Sequence, residues 1–142
     1  MADIQFPNVP LTGGPATMLV KDNNGAPATV LEAGLDFAID VSWTIDPLAA
    51  LLLGGQWELT AYVEGIGGTA FEGQVGATVT VPLNGGQTYA ATITVVAGTL
   101  PDNPQPPDAG VYKLIVVLLH RNFAVVSNVA AVMEHPDLLK IG

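Results

Sequence analysis

The sequence predicts one all-β domain of sandwich type, and three observations carry that expectation. Short segments alternate apolar and polar residues with the period of two that puts one strand face in a core and the other in water. Clusters of Asn, Asp and Gly punctuate these segments every ~8–12 residues, the spacing of about seven to nine short strands. The chain of 142 residues suits a single domain and contains no cysteine, so packing rather than a disulfide framework must hold its layers together.

Residues 1–15 read as an extended N-terminal arm. Pro7, Pro10, Gly13, Gly14 and Pro15 disfavour regular structure, and Ile4, Phe6, Val9 and Leu11 give the arm its apolar character. Thr17–Val20 is expected as a first strand. The turn Lys21-Asp22-Asn23-Asn24-Gly25 leads to its hairpin partner, Ala28–Leu31, because Asn and Gly tolerate positive φ.

The clearest strand follows. Leu35, Phe37, Ile39, Val41, Trp43 and Ile45 alternate with Asp36, Ala38, Asp40, Ser42 and Thr44. A short helix is expected over 47–53: Asp46 can cap it, Pro47 suits its first position and Gly54 its exit. Its leucines are expected to face the core across one end of the sandwich.

Gln56–Glu64 alternates again, with Trp57, Leu59, Ala61 and Val63 on one face and Glu58, Thr60, Tyr62 and Glu64 on the other. Gly65–Gly76 reads as a glycine-rich connection holding a short strand near Thr69–Glu72. Ala77–Leu83 and Thr88–Val96 flank the turn Asn84-Gly85-Gly86. Leu100–Pro107 holds four prolines and is irregular. Val111–His120 and Asn122–Glu134 are the last two strands, joined at Arg121-Asn122. The sandwich is thus assigned to 16–134, and 135–142 to a C-terminal tail.

Asp108-Ala109-Gly110-Val111-Tyr112 resembles the Asp-x-Gly-x-Tyr motif of immunoglobulin-like domains, and it precedes the penultimate strand, where that motif belongs. The resemblance covers Leu35 to Met133. It implies that Tyr112 makes the corner contact and that Leu114 occupies the second cysteine position of the family. The first cysteine position then falls on Ile39 or Val41, and Trp57 is similar to the buried tryptophan that begins strand C. The aliphatic residues at the cysteine positions and the helix after Ile45 depart from antibody domains. They resemble bacterial and viral immunoglobulin-like modules, which are commonly adhesive or structural. The fold expected is therefore an immunoglobulin-like antiparallel β-sandwich with one short helix at 47–53 and an extended N-terminal arm.

Charge excludes several function classes. Four basic residues, Lys21, Lys113, Arg121 and Lys140, stand against 13 acidic ones, for a net charge of −9. They form no cluster, which argues against nucleic acid and anionic membrane surfaces as partners. Mean hydropathy is high, +0.45, with only 12% charged residues. Yet no apolar run reaches the ~18–20 residues of a spanning helix, so no membrane insertion is expected. Met1–Gln5 has neither the basic nor the apolar region of a secretory signal, which leaves the cytoplasm or another export route as the expected location.

The residues of types that carry chemistry each favour a plain reading. His120 and His135 are the only histidines, and Pro136 splays the Glu134-His135-Pro136-Asp137 group, so three or four converging metal ligands are not expected. Asp22-Asn23-Asn24-Gly25 is similar to part of a calcium loop, but six or more oxygens are needed and Glu32 is the nearest further carboxylate. Glu58 and Glu64 share a strand face about 20 Å apart, beyond the span of two-carboxylate glycosidase chemistry, and Glu72 adds no partner. Ser42 and Ser127 sit in strands without a histidine partner. No cofactor, metal site or enzymatic activity is expected. Trp43 and Trp57 fall on apolar faces, which leaves Tyr62 as the best exposed aromatic.

The informative anomaly lies in the last two strands, which are apolar on both faces. Tyr112, Leu114, Val116 and Leu118 alternate with Val111, Ile115, Val117 and Leu119, and Phe123, Val125, Val129, Ala131 and Met133 with Ala124, Val126, Ala130 and Val132. A sandwich strand needs only one apolar face, so the second requires a cover. The expected interface is Ile115, Val117, Leu119, Val126 and Val132 with Ile4 and Phe6 of the arm, and the expected partner is a second copy or another protein. The reading is a non-enzymatic structural or assembly protein. The alternative is a ligand-binding or adhesion module, for carbohydrate among other ligands, using Gly65–Gly76, Leu100–Pro107 and Tyr62.

Overall fold

The computed structural model describes residues 2–3, 13–52, 54–66, 72–100, 110–122 and 125–141. The elements in chain order are β1 (Ala2–Asp3), β2 (Gly13–Lys21), β3 (Val30–Leu31), β4 (Phe37–Ile45), α1 (Pro47–Leu52), β5 (Gln56–Ile66), β6 (Gly73–Pro82), β7 (Thr88–Val95), β8 (Val111–Asn122), β9 (Val125–Glu134) and β10 (Leu139–Ile141). They form two sheets, β1-β2-β4-β7 and β3-β10-β8-β5-β6, with β9 also paired to β8. The architecture is an all-β sandwich.

Alternation makes the layers. On β4, Phe37, Ile39, Val41, Trp43 and Ile45 are buried, as are Trp57, Leu59, Ala61 and Val63 on β5. Tyr112, Leu114, Val116 and Leu118 of β8 complete the core. The positions compared above with cysteines, Ile39, Val41 and Leu114, are all buried aliphatics. Asp108 lies outside the described residues.

Four expectations are corrected. Residues 28–31 do not continue a hairpin with β2. The hairpin closes only as far as residue 28: the Asp22 N–H donates to the Ala26 carbonyl at 2.8 Å, Lys21 bridges Pro27, and the Ala28 N–H donates to the Val20 carbonyl at 3.1 Å. β3 then crosses to the other sheet and pairs in parallel with β10. Residues 135–142 are not simply a tail: Leu139 and Ile141 are buried because β10 slots between β3 and β8. Within 1–15, Gly13–Pro15 already belong to β2, and Ala2 and Asp3 pair with Ala16 and Pro15. On α1, among the described side chains, Ala50 is buried while Leu51 is 81% exposed. Leu51 lies about 100° round the helix from Ala50, so it faces away from the core; the other leucines of 47–53 lie outside the described side chains.

The remaining boundaries shift modestly. The short strand expected near Thr69–Glu72 falls largely outside the described residues, and β6 starts at Gly73 rather than Ala77. The turn expected at Arg121-Asn122 is still strand: both residues belong to β8.

Gly110 shows why β10 fits. Its φ is +39°, and a Cβ built there would lie 2.5 Å from the Ile141 carbonyl oxygen. The Ile141 N–H donates to the Gly110 carbonyl at 2.7 Å. Only glycine combines that φ with so close an approach. On the outer face of the four-stranded sheet, Asp40 accepts from Lys21 Nζ at 2.7 Å and from Thr92 Oγ1 at 2.7 Å. These bonds, Lys21 first, hold its carboxyl below the ordinary value of 3.8.

Two outcomes are expected. Gly110→Ala destabilises the fold by about 1–3 kcal/mol in denaturant unfolding, through the positive φ and the crowding of β10; an unchanged midpoint would refute the close approach. Because the Asp40 value is lowered on folding, its contribution is present above the unfolded value and is lost as pH falls through the folded one. The stability gap between the native chain and Asp40→Asn therefore narrows below pH 3.8. Melting curves across an acid series test it, and a gap that widens on acidification counts against the Lys21 contact.

Candidate functional site

The outer face of the β3-β10-β8-β5-β6 sheet carries the candidate site. The register sets its rows. Tyr62, Ile115 and Glu134 lie side by side, then Thr60, Val117 and Val132, then Glu58, Leu119 and Ala130. Ile115, Val117 and Leu119 are half-buried by these neighbours, whereas Val132 is 62% and Tyr62 41% exposed. The result is an apolar strip running along β8 and flanked by β5 and β9.

Charge frames both ends of the strip. At one end Lys113 Nζ meets Glu134 Oε1 at 2.8 Å, with Glu64 opposite Lys113 on β5. The hydrogen bond and charge of Glu134 raise the Lys113 value. At the other end Arg121 Nε donates to Glu58 Oε2 at 2.5 Å. Lys113 and Arg121 stand about 26 Å apart along the strand. An apolar centre with a charged rim is the general anatomy of a protein interface.

Among the residues expected to form the site, Ile115, Val117, Leu119 and Val132 share this one face. The backbone of Val126 pairs with Arg121 at the charged end. Ile4 and Phe6 lie outside the described residues. Tyr62, expected on the outward face of its strand as the best exposed aromatic, lies there in the strip opposite Ile115. Ala130 also joins the strip, and Ile66, exposed, ends the outer row of β5 opposite Val111. Alternation gave the outward side of each residue, but neighbours across strands depend on register, which local pattern does not encode.

The candidate catalytic and metal groups are engaged elsewhere. The His120 ring is buried against Trp57, with centroids 5.4 Å apart, and its Nε2 lies 2.6 Å from the Gly54 carbonyl oxygen. His135 Nδ1 accepts from the Asp137 N–H at 3.2 Å. Asp22 Oδ1 accepts from the Asn24 and Ala26 N–H groups, a turn-forming arrangement. Glu58 is held by Arg121. Among the described residues no three His, Asp or Glu side chains converge on a point that holds a metal ion.

A concavity of about 500 Å³ lies on the other sheet, lined in part by Thr17, Leu19, Asp40, Ser42, Ala90 and Thr92. Its polar groups already bond one another: Thr17 with Ser42 at 3.0 Å, and Thr92 with Asp40.

No family model matches this chain, and no curated protein matches it in sequence. Solved structures do resemble it. A β-glucosidase from Listeria innocua matches with a TM-score of 0.50 at 12% identity, over 91% of this chain and 16% of that one. The β-glucosidase EmGH1 from Erythrobacter marinus matches with a TM-score of 0.51 at 9% identity, over 93% of this chain and 15% of that one. The chain thus spans about one sixth of the β-glucosidases it resembles. At this identity the likeness is one of fold alone.

Single charges should separate the two faces of the sheet. Val132→Lys is expected to leave the stability of the dilute protein within about 0.5 kcal/mol, and Leu118→Lys to cost more than about 4 kcal/mol. Equal losses in urea unfolding would mean that the strip is part of the core.

Proposed function

We propose that this chain is a non-enzymatic structural or assembly module that self-associates through the strip on β8 and its neighbours. One observation carries the reading: Ile115, Val117, Leu119, Val132 and Tyr62 form a continuous, partly exposed apolar face on a chain of net charge −9. An acidic chain gains solubility from its charge, and the carboxylates flanking the strip, Glu58 and Glu134, are paired with Arg121 and Lys113, which lowers the like-charge repulsion between two copies meeting there. The fold type proposed is immunoglobulin-like without the disulfide. Buried Ile39, Val41 and Leu114, buried Trp57 and Tyr112, and the positive φ of Gly110 support it.

Magnitudes decide how strong such an interface is. Full burial of a Val, Leu or Ile side chain stabilises by roughly 1.5–3 kcal/mol. These residues are already half covered, so each adds about half of that. Five of them on each of two copies contribute on the order of 10 kcal/mol, against association costs of about 4–15 kcal/mol. The strip alone supports weak pairing; the arm residues Ile4 and Phe6, expected in the same interface, lie outside the described residues. The alternative reading, a carbohydrate or adhesion module built on the end loops, loses its best aromatic, since Tyr62 sits in the strip.

Light scattering over a dilution series, on the native chain and on the double variant Ile115→Lys, Val117→Lys, tests the proposal. The native chain is expected to exceed monomer mass at high concentration and the variant to weaken that association at least tenfold. A native chain that is monomeric throughout sinks the reading and moves function to the loops.

A further inference from the structure

The apolar face of the sheet continues past Lys113. One row further along it, the register sets Val30 of β3, Lys140 of β10, Val111 of β8 and Ile66 of β5 side by side. Their chain neighbours Leu31, Leu139, Ile141 and Tyr112 are buried in the core, so alternation turns this row outward with Ile115 and Val117. Val30 is 66% and Ile66 45% exposed, and Val111 is half-buried. Lys140 Nζ donates to the Ile141 carbonyl oxygen at 3.0 Å. Its charge is turned back on the backbone, and its stem lies in the row.

Area shows why this row matters. Each outward residue covers ~33 Å² of sheet plane, from strand spacing and rise. The strip of the Tyr62, Thr60 and Glu58 rows then offers about 300 Å². A specific interface buries at least about 1,000 Å² in all, or about 500 Å² on each partner. The strip falls short of that size. The Glu64–Lys113 row and the Val30–Lys140–Val111–Ile66 row bring the same face to about 500 Å².

Charge argues for a second copy as the occupant. On this face Glu58, Glu64 and Glu134 stand with Lys113, Arg121 and Lys140. It thus holds three of the four basic residues of a chain of net charge −9. The face is balanced while the chain as a whole is acidic. An equally acidic copy meets least repulsion here, and a strongly basic partner finds no net charge to attract it.

We infer that the interface between two copies extends across β10 to β3, with Val30, Val111 and Ile66 as its second apolar field. The inference rests on the self-association proposed above and adds the surface that makes it large enough. The Lys113–Glu134 pair then lies within the interface, between the two fields, and not on its rim. β10 joins β3 to the sheet, so the second field is complete only when β10 is in place.

Light scattering over a dilution series of the full chain tests this. The double variant Val30→Lys, Ile66→Lys is expected to weaken association at least tenfold, with a dilute melting temperature near native. The milder Val30→Thr, Ile66→Thr keeps the branched side chains and is expected to weaken it about threefold. Leu51→Lys and Val96→Lys alter exposed apolar residues elsewhere, 81% and 62% exposed, and are expected to leave association within about twofold of native. If the Val30 and Ile66 variants associate like the native chain while Ile115→Lys, Val117→Lys does not, the interface is confined to the strip and the inference is overturned, though the self-association stands. Equal losses in the Leu51 and Val96 variants mean unspecific contact and overturn it too. A native chain that is monomeric throughout overturns both.

Discussion

The two sheets have no covalent tie, so the structure depends on aromatic packing between them. Trp43 of β4 and Trp57 of β5 meet edge to face, with centroids 6.0 Å apart at 77°. Tyr89 stacks on Trp43 from β7 and tilts against Trp57, and His120 closes the far side of Trp57. Each such pair contributes about 0.5–1.5 kcal/mol beyond its buried area. The cluster also has a cost. Both indole N–H groups are buried without a hydrogen-bond acceptor, a loss of about 1–3 kcal/mol each. The large area of the two rings outweighs it, and the edge-to-face geometry fixes how the sheets meet. Everything outside the core, including which strand faces point outward, follows from that alignment.

The parts of this architecture that local pattern reveals are those whose cause is local. Alternation on β4 and β5 marks their buried faces, and Asp46-Pro47 marks the helix. The outward apolar residues of β8 stand out because a sandwich strand has no internal use for them. What local pattern hides is pairing between distant segments. Val30-Leu31 reads as the second arm of a hairpin, but its neighbour in space is β10, more than a hundred residues later. Leu139-Lys140-Ile141 is too short to signal a strand, and becomes one because Gly110 leaves room for it. Tyr62 is legible as exposed and illegible as a member of the strip, because its neighbour Ile115 is set by register.

Charge is distributed economically on this surface. Among the described residues, Lys21 pairs with Asp40, Lys113 with Glu134 and Arg121 with Glu58. Two of those pairs frame the apolar strip and the third sits on the opposite sheet. Exposed pairs contribute little to stability. Their larger effect is on orientation: fixed charges at the two ends of a smooth apolar face penalise docking out of register.

The placement of β10 has a consequence for how the chain acquires its structure. The parallel pairing of Ile141 with Leu31 joins segments near opposite ends of the sequence. Such non-local pairing slows folding, because the loop must close before any contact rewards it. During synthesis β3 emerges about a hundred residues before β10, the strand it pairs with. Until Leu139–Ile141 follow, the edge of β8 at Val111 and Tyr112 also stands open. The nascent sandwich thus passes through a stage with exposed strand edges, and β10 acts as the latch that ends it.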